Sequence, residues 1–206
     1  MIGIIDYDAG NIKSVEKALN FLGEETVISR DPQVLLKADK VVLPGVGSFG
    51  QAMENLNTYG LVPVIHEMVD KGTPFLGICL GLQLLFESSE ESPGVEGLGI
   101  LKGKIVKIPP CEGLKIPHMG WNSIHLQNNG RLFKGIPEQT YVYFVHSYYL
   151  QAEEQKIVKA TTEYSTCIHA SVEKGNIFAC QFHPEKSSRW GLQILKNFAS
   201  IGRGNV

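Results

Sequence analysis

Cys79 stands in the run Thr73-Pro74-Phe75-Leu76-Gly77-Ile78-Cys79-Leu80-Gly81-Leu82-Gln83, where a short apolar, strand-like stretch changes at the thiol into a helix-like pattern. Glycines two residues before and two after the cysteine relieve the crowding of a sharp strand-to-helix turn, the arrangement by which a nucleophile is made to protrude. A helix starting there also sets amide donors and a positive dipole end beside the sulfur, which favours thiolate. A thiol attacks a carbonyl well only when deprotonated, so the chain must supply a base. Of its six histidines, His183 alone combines a strand-end position with a carboxylate two residues on, in Gln181-Phe182-His183-Pro184-Glu185. Positions i and i+2 of an extended chain point the same way, so Glu185 is placed to orient the imidazole and stabilise its cation. The pattern alone leaves open whether His183 is this base or a structural histidine. His66 reads as a surface residue, His125 and His169 as structural residues in strands, and His118 as part of a loop. His146 ends a strand without an acidic neighbour.

Acyl chemistry also needs donors for an oxyanion. The backbone N–H of Leu80, just after the nucleophile, is one candidate. The loop Pro44-Gly45-Val46-Gly47-Ser48-Phe49-Gly50 offers a second, with Val46 and Gly47 at its centre, although its glycines are equally compatible with a plain turn. No Lys-Ser/Thr pair follows, so it is not a phosphate-binding loop. Gln83 lies four residues after Cys79 and shares a helix face with it, either to hold a substrate or to solvate the helix. Cys167-x-His169 and Cys180-x-x-His183 lack a second matching pair, so no metal site and no cofactor is expected.

The elements that must carry these residues alternate in the first part of the chain. Strands are expected at Ile2 to Asp6, Thr26 to Ser29, Lys40 to Pro44 and Thr73 to Ile78. Ile12, Val15, Leu19 and Leu22 mark a helix stopped by Gly23, and Leu61 to Lys71 and Leu80 to about Glu87 mark two more. The second part reads as strands at Gly99 to Ile108, Trp121 to Leu126, Thr140 to Leu150, Ile157 to Thr162, Thr166 to Val172 and Ile177 to Phe182. Glu173 to Asn176 forms a hairpin turn, and a last helix runs from about Ser188 to Ser200. This predicts an α/β fold, a mainly parallel sheet flanked by helices with an antiparallel excursion, in one domain over residues 1–206. The carboxyl ends of parallel strands are where such sheets hold their sites, and Cys79 and His183 both fall there.

Composition agrees. The 206 residues are 43% apolar and 19% charged with a formal net charge of −2, which gives no basic surface for nucleic acid or an anionic membrane. The N-terminal run reads as a strand rather than a signal peptide, and no stretch is long and apolar enough to span a bilayer. The four cysteines have no disulfide-framework spacing, so reduced thiols and a cytoplasmic location are expected.

Taken together, Gly77 to Gln83, His183-Pro184-Glu185 and Pro44 to Phe49 resemble the nucleophile, base and oxyanion motifs of the triad-type, class I glutamine amidotransferases. The resemblance covers essentially the whole chain. It implies a flavodoxin-like fold, thioester chemistry on the side-chain amide of glutamine, and no metal. More narrowly, Asp6 to Val15, Lys115 to Asn122, Phe144 to Tyr149 and His183 to Ser187 resemble the glutaminase subunits of imidazole glycerol phosphate synthase, with Asp8 standing where glycine is more usual. By that resemblance Cys79, His183 and Glu185 are catalytic, and Gln83, Glu91, Ser147 and Tyr148 help bind glutamine. Asn11, Pro117, His118, Met119, Trp121, Asn122 and Lys186 lie toward a partner. The partner implied is a cyclase subunit, a (β/α)8 barrel in a heterodimer, which uses the ammonia in histidine biosynthesis. Rival readings are a glutaminase subunit for anthranilate or pyridoxal phosphate synthesis, a cysteine peptidase or γ-glutamyl hydrolase of the same fold, and a non-catalytic binding subunit.

Overall fold

The computed structural model describes residues 1–202. In chain order it contains β1 (Ile2–Ile5), α1 (Ile12–Phe21), β2 (Thr26–Ser29), α2 (Pro32–Leu35), β3 (Lys40–Leu43), α3 (Phe49–Thr58), α4 (Leu61–Asp70), β4 (Phe75–Ile78), α5 (Leu80–Leu84) and β5 (Ser88–Ser89). These are followed by β6 (Gly103–Lys107), β7 (His118–Leu126), β8 (Thr140–His146), β9 (Tyr148–Ala152), β10 (Val158–Tyr164), β11 (Thr166–Lys174), β12 (Ile177–Cys180) and α6 (Ser188–Ser200).

The main sheet has nine strands in the order β2-β1-β3-β4-β12-β11-β10-β7-β8. The pairings from β2 through to β12 are parallel. Those from β12 to β8 are antiparallel. The parallel part follows from its sequence. Residues of β1, β3 and β4 are buried because helices cover both faces, so these strands read as apolar runs, with Lys40 at the start of β3 the one charged residue. Ile12, Val15 and Leu19 of α1 pack with Ile194, Leu195 and Phe198 of α6 on one face. On the other, Phe49, Met53 and Leu56 of α3 join Leu61, Ile65 and Met68 of α4. A smaller sheet, β5-β6-β9, lies beside the main one.

Several boundaries differ from the sequence expectation. Thr140 to Leu150 is two strands, broken at Ser147, with β8 in the large sheet and β9 in the small one. The helix after Cys79 ends at Leu84, and its last turn tightens so that the Leu85 and Phe86 amides bond three residues back. His118 opens β7 instead of lying in a loop. Helices α2 and α3 were not anticipated, although Phe49, Ala52, Met53 and Leu56 recur at helical spacing. The stop after α1 is as expected. Gly23 has φ +81°, and the Gly23 and Glu24 amides bond back to Asn20 and Leu19.

The turn from β4 into α5 is crowded. A Cβ on Gly81 would collide with the Leu43 carbonyl oxygen, and one on Gly77 would lie 2.6 Å from the Gly81 carbonyl oxygen. Both obstacles are backbone and cannot swing aside. Gly81→Ala is therefore expected to lower folding stability by about 2 kcal/mol or more. Urea denaturation checks this, and a wild-type midpoint would show that the β3–α5 contact is looser than described.

Candidate active site

Cys79 adopts φ 53° and ψ −106°, a conformation that L-residues rarely take and that costs on the order of 1–3 kcal/mol. Its neighbours hold it there. The Cys79 amide donates to the Cys180 carbonyl at 2.8 Å, and the Cys79 carbonyl accepts from Leu82 at 3.0 Å and Gln83 at 3.3 Å. The strain turns the side chain into a cavity of about 350 Å³ lined by Val46, Gly47, Cys79, Leu80, Gln83, Glu91, Pro117, Val145, His146, Ser147 and Tyr148. One cavity thus gathers the nucleophile, the three oxyanion candidates and the four substrate-binding candidates.

His183 and Glu185 sit beneath this cavity with their side chains fully buried. They are linked by Nδ1···Oε1 at 2.8 Å, so His183 Nδ1–H donates to the carboxylate and Nε2 is left for the thiol side. Nε2 is buried and makes no hydrogen bond. Burial pulls the imidazole pKa down, but the Cys79 thiol and the Glu185 carboxylate outweigh it and push it up to about 10. The base is thus held ready as an imidazolium beside the sulfur. The pair does not form by alternation along an extended strand, as the spacing suggested: β12 ends at Cys180, and the tight 3-10 turn Pro184–Lys186 brings Glu185 back under the ring.

Gln181 is a site residue that the sequence reading missed. It is fully buried, and its Nε2 donates to Cys79 Sγ at 3.6 Å. Gln83 Nε2 in turn donates to Gln181 Oε1 and to the Tyr148 carbonyl, both at 3.1 Å. A lone glutamine in the apolar run Ile177 to Phe182 was the available signal, since a buried amide must find partners. Tyr7 is another. Its phenol is buried and donates to the Pro44 carbonyl at 2.6 Å, anchoring the start of the glycine loop. Burial and then the neighbouring Cys79 push that phenol's pKa well above the usual tyrosine value.

Like Gln83, the candidates Leu80 and Glu91 have existing partners. The Leu80 amide bonds to the Gly45 carbonyl at 3.3 Å, so the loop itself occupies this donor. Glu91 Oε2 accepts from the Phe49 amide at 2.8 Å and caps α3 while also lining the cavity.

The residues expected to face a partner divide. Met119 is 62% exposed and Trp121 is 52% exposed, and Pro117 and Lys186 are exposed as well. Asn122 is half-buried. Asn11 and His118 are turned inward instead. Asn11 Nδ2 donates to Glu185 Oε1 at 3.1 Å, and His118 is packed between the rings of Phe144 and Tyr164. Among the described residues, no group of three or more His, Cys, Asp or Glu side chains is gathered as for a metal ion, and no helix is long and apolar enough to cross a membrane.

A strained cysteine at the end of one parallel strand, a buried His-Glu pair at the end of the next, and a glycine loop over both make a thiol acyl-transfer site. Residues 3–201 match the family model for glutamine amidotransferase class-I, and the chain belongs to that family. It is 51% identical to imidazole glycerol phosphate synthase subunit HisH of Moorella thermoacetica, over 98% of this chain and 95% of that protein. It is 50% identical to the subunit of the same name from Methanocaldococcus jannaschii, over 98% of this chain and 100% of that protein. The solved structure of PurLQS from Thermotoga maritima shares the fold, with a TM-score of 0.75 at 19% identity, covering 97% of each chain.

The raised His183 pKa has a testable sign. A pKa held above the ordinary 6.5 stabilises the folded chain fully at pH below about 6.5, and this contribution is lost as pH rises through about 10. Glu185→Gln removes one cause of the shift. Its stability deficit is expected to be largest near pH 6, at roughly 2 kcal/mol, and to shrink toward pH 10. Denaturation midpoints measured across that range check this, and a deficit that grows with pH would contradict the assignment. In turnover the same variant should lose kcat rather than glutamine affinity.

Proposed function

We propose that this chain is the glutaminase subunit of an imidazole glycerol phosphate synthase, hydrolysing glutamine to glutamate and ammonia and handing the ammonia to a cyclase subunit for histidine biosynthesis. The observation that carries this reading is the convergence of Cys79, His183 and Glu185 at the ends of two paired strands, in a chain half identical to HisH subunits over nearly its full length.

Cys79 Sγ attacks the side-chain amide carbon of glutamine, and its proton resides on His183 Nε2. Glu185, bonded to Nδ1, keeps the ring in the orientation that presents Nε2 to the sulfur and stabilises its charge. His183 then gives the proton to the departing nitrogen, the C–N bond breaks, and ammonia leaves a γ-glutamyl thioester. His183 next takes a proton from water, which attacks the thioester and releases glutamate and the thiol. Gln181 Nε2, aimed at the sulfur, favours the thiolate at both ends of the cycle.

The oxyanion of each step falls to Leu80 and the Val46–Gly47 backbone. The Leu80 amide is occupied by Gly45, so the loop must shift before that donor is free. Gly47, at φ +108°, gives the loop room to do so. One missing donor is worth roughly 10²–10³ in rate, so the lone chain is a slow glutaminase that waits for its partner. Met119 and Trp121 alternate along β7, and Tyr141, 60% exposed, stands on the neighbouring strand β8 across from Ser123. This exposed apolar face adjoins Pro117 and Val145 at the cavity, which suits a docked partner that receives ammonia directly. The partner is a cyclase of (β/α)8 form, the assembly a heterodimer, and its location the cytoplasm.

Glutamate release should rise about 10²-fold or more when the cyclase subunit and its nucleotide ligand are added. Full activity of the chain alone would favour a stand-alone hydrolase. In the complex, Cys79→Ser should abolish synthesis from glutamine and leave synthesis from ammonium salts near wild type. Loss of both would overturn the division of labour.

A further inference from the structure

From the cavity wall at His146 a second chain of polar groups, which the chemistry above does not use, runs inward to His118 and out to the half-buried Asn122. His118 and His146 face one another across the β7–β8 pairing, 3% and 6% exposed, with His118 Nδ1 and His146 Nε2 3.0 Å apart. His146 Nδ1 lies 2.9 Å from the Tyr148 carbonyl, and Asn122 Nδ2 lies 3.3 Å from His118 Nε2. Only one arrangement of protons satisfies all three contacts. A carbonyl can only accept, so His146 Nδ1 carries the hydrogen and its Nε2 accepts. His118 Nδ1 must then donate, which leaves His118 Nε2 to accept from the Asn122 amide.

We propose that His118 and His146 are positioning residues for the glutamine substrate, forming a directional relay from Asn122 to the Tyr148 carbonyl that fixes the Ser147–Tyr148 wall of the cavity. The Tyr148 carbonyl is where the relay meets the nucleophile's own network, because Gln83 Nε2 donates to the same oxygen and also holds Gln181 against Cys79. Losing the His146 donor frees this carbonyl to rotate, and the Gln83 amide with it. The relay needs both rings neutral, since a second proton on either would set N–H against N–H. Burial supplies that condition, holding His118 down at about 4 and His146 at about 3, the latter lowered further by His118 and His183. His118 touches no cavity surface, so its effect on substrate must pass through His146. Its ring is held in plane by stacking, with centroids 4.7 Å from Phe144 and 3.9 Å from Tyr164.

The inference rests on the proposed glutaminase reading, and one experiment separates the two. Glutamate release is measured as a function of glutamine for the chain saturated with its cyclase partner and nucleotide ligand. His118→Phe keeps a stacked ring and loses the donor to His146. His118→Asn keeps a donor at the Nδ1 position and loses the ring. A positioning role predicts that His118→Phe raises KM about tenfold with kcat changed less, while His118→Asn stays within about threefold of wild type. A packing role predicts the reverse order, and that order, or a wild-type KM in His118→Phe, overturns the relay. Should His118→Phe fail to fold, Asn122→Ala at the half-buried end decides, with a raised KM supporting the relay and an unchanged KM overturning it. A wild-type complex that releases no glutamate would instead overturn the functional reading itself.

Discussion

The site depends on the parallel pairing of β4 with β12. Their last residues, Ile78 and Cys180, are level with one another, and the Cys79 amide reaches across to the Cys180 carbonyl. That bond fixes the nucleophile in its strained turn and sets Gln181 and His183 immediately beyond the neighbouring strand. The rest of the molecule holds this pairing in register. The β11–β12 hairpin delivers β12 from the antiparallel strands, and α1 and α6 close over the opposite face. His183 is pinned independently by its own backbone. Its amide donates to the Tyr143 carbonyl, and Ser187 Oγ bridges the His183 carbonyl and the Tyr143 amide.

Burial then makes the chemistry strong. Cys79, His183 and Glu185 interact in a region that water hardly reaches, where a charge pair or a hydrogen bond acts at low effective dielectric. The same burial keeps His118 and His146 neutral, because neither has a carboxylate beside it as His183 does. Three histidines near one cavity therefore hold two protonation states. The difference comes from two side chains that only His183 has beside it, Cys79 and Glu185.

Much of this was legible in the sequence. The strands of the parallel part, the helices α1, α4 and α6, the start of α5 and the protruding Cys79 follow local rules of apolar pattern and glycine placement, whereas α2 and α3 did not stand out and Glu185 meets His183 through a turn rather than by strand alternation. What was not legible depends on contacts between distant segments. Gln181 lies in an apolar run and acquires meaning only when β12 pairs with β4. Tyr7 is one residue of an opening strand motif until Pro44 arrives above it. His118 reads as part of a loop and Asn11 as a partner-facing residue, yet each turns inward to satisfy another buried group, His146 and Glu185 respectively. The break at Ser147 likewise depends on which sheet each half joins, because both halves are suitable strands.

The central claim is that Cys79 carries the acyl group of glutamine while His183 and Glu185 manage the proton. The most direct measurement is rapid acid quenching of the partner-bound enzyme during turnover of glutamine, followed by peptide mass mapping. The account predicts a γ-glutamyl adduct on the peptide containing Cys79, formed and lost at rates that match glutamate release. An adduct on any other residue, or turnover without a covalent adduct at Cys79, would contradict it.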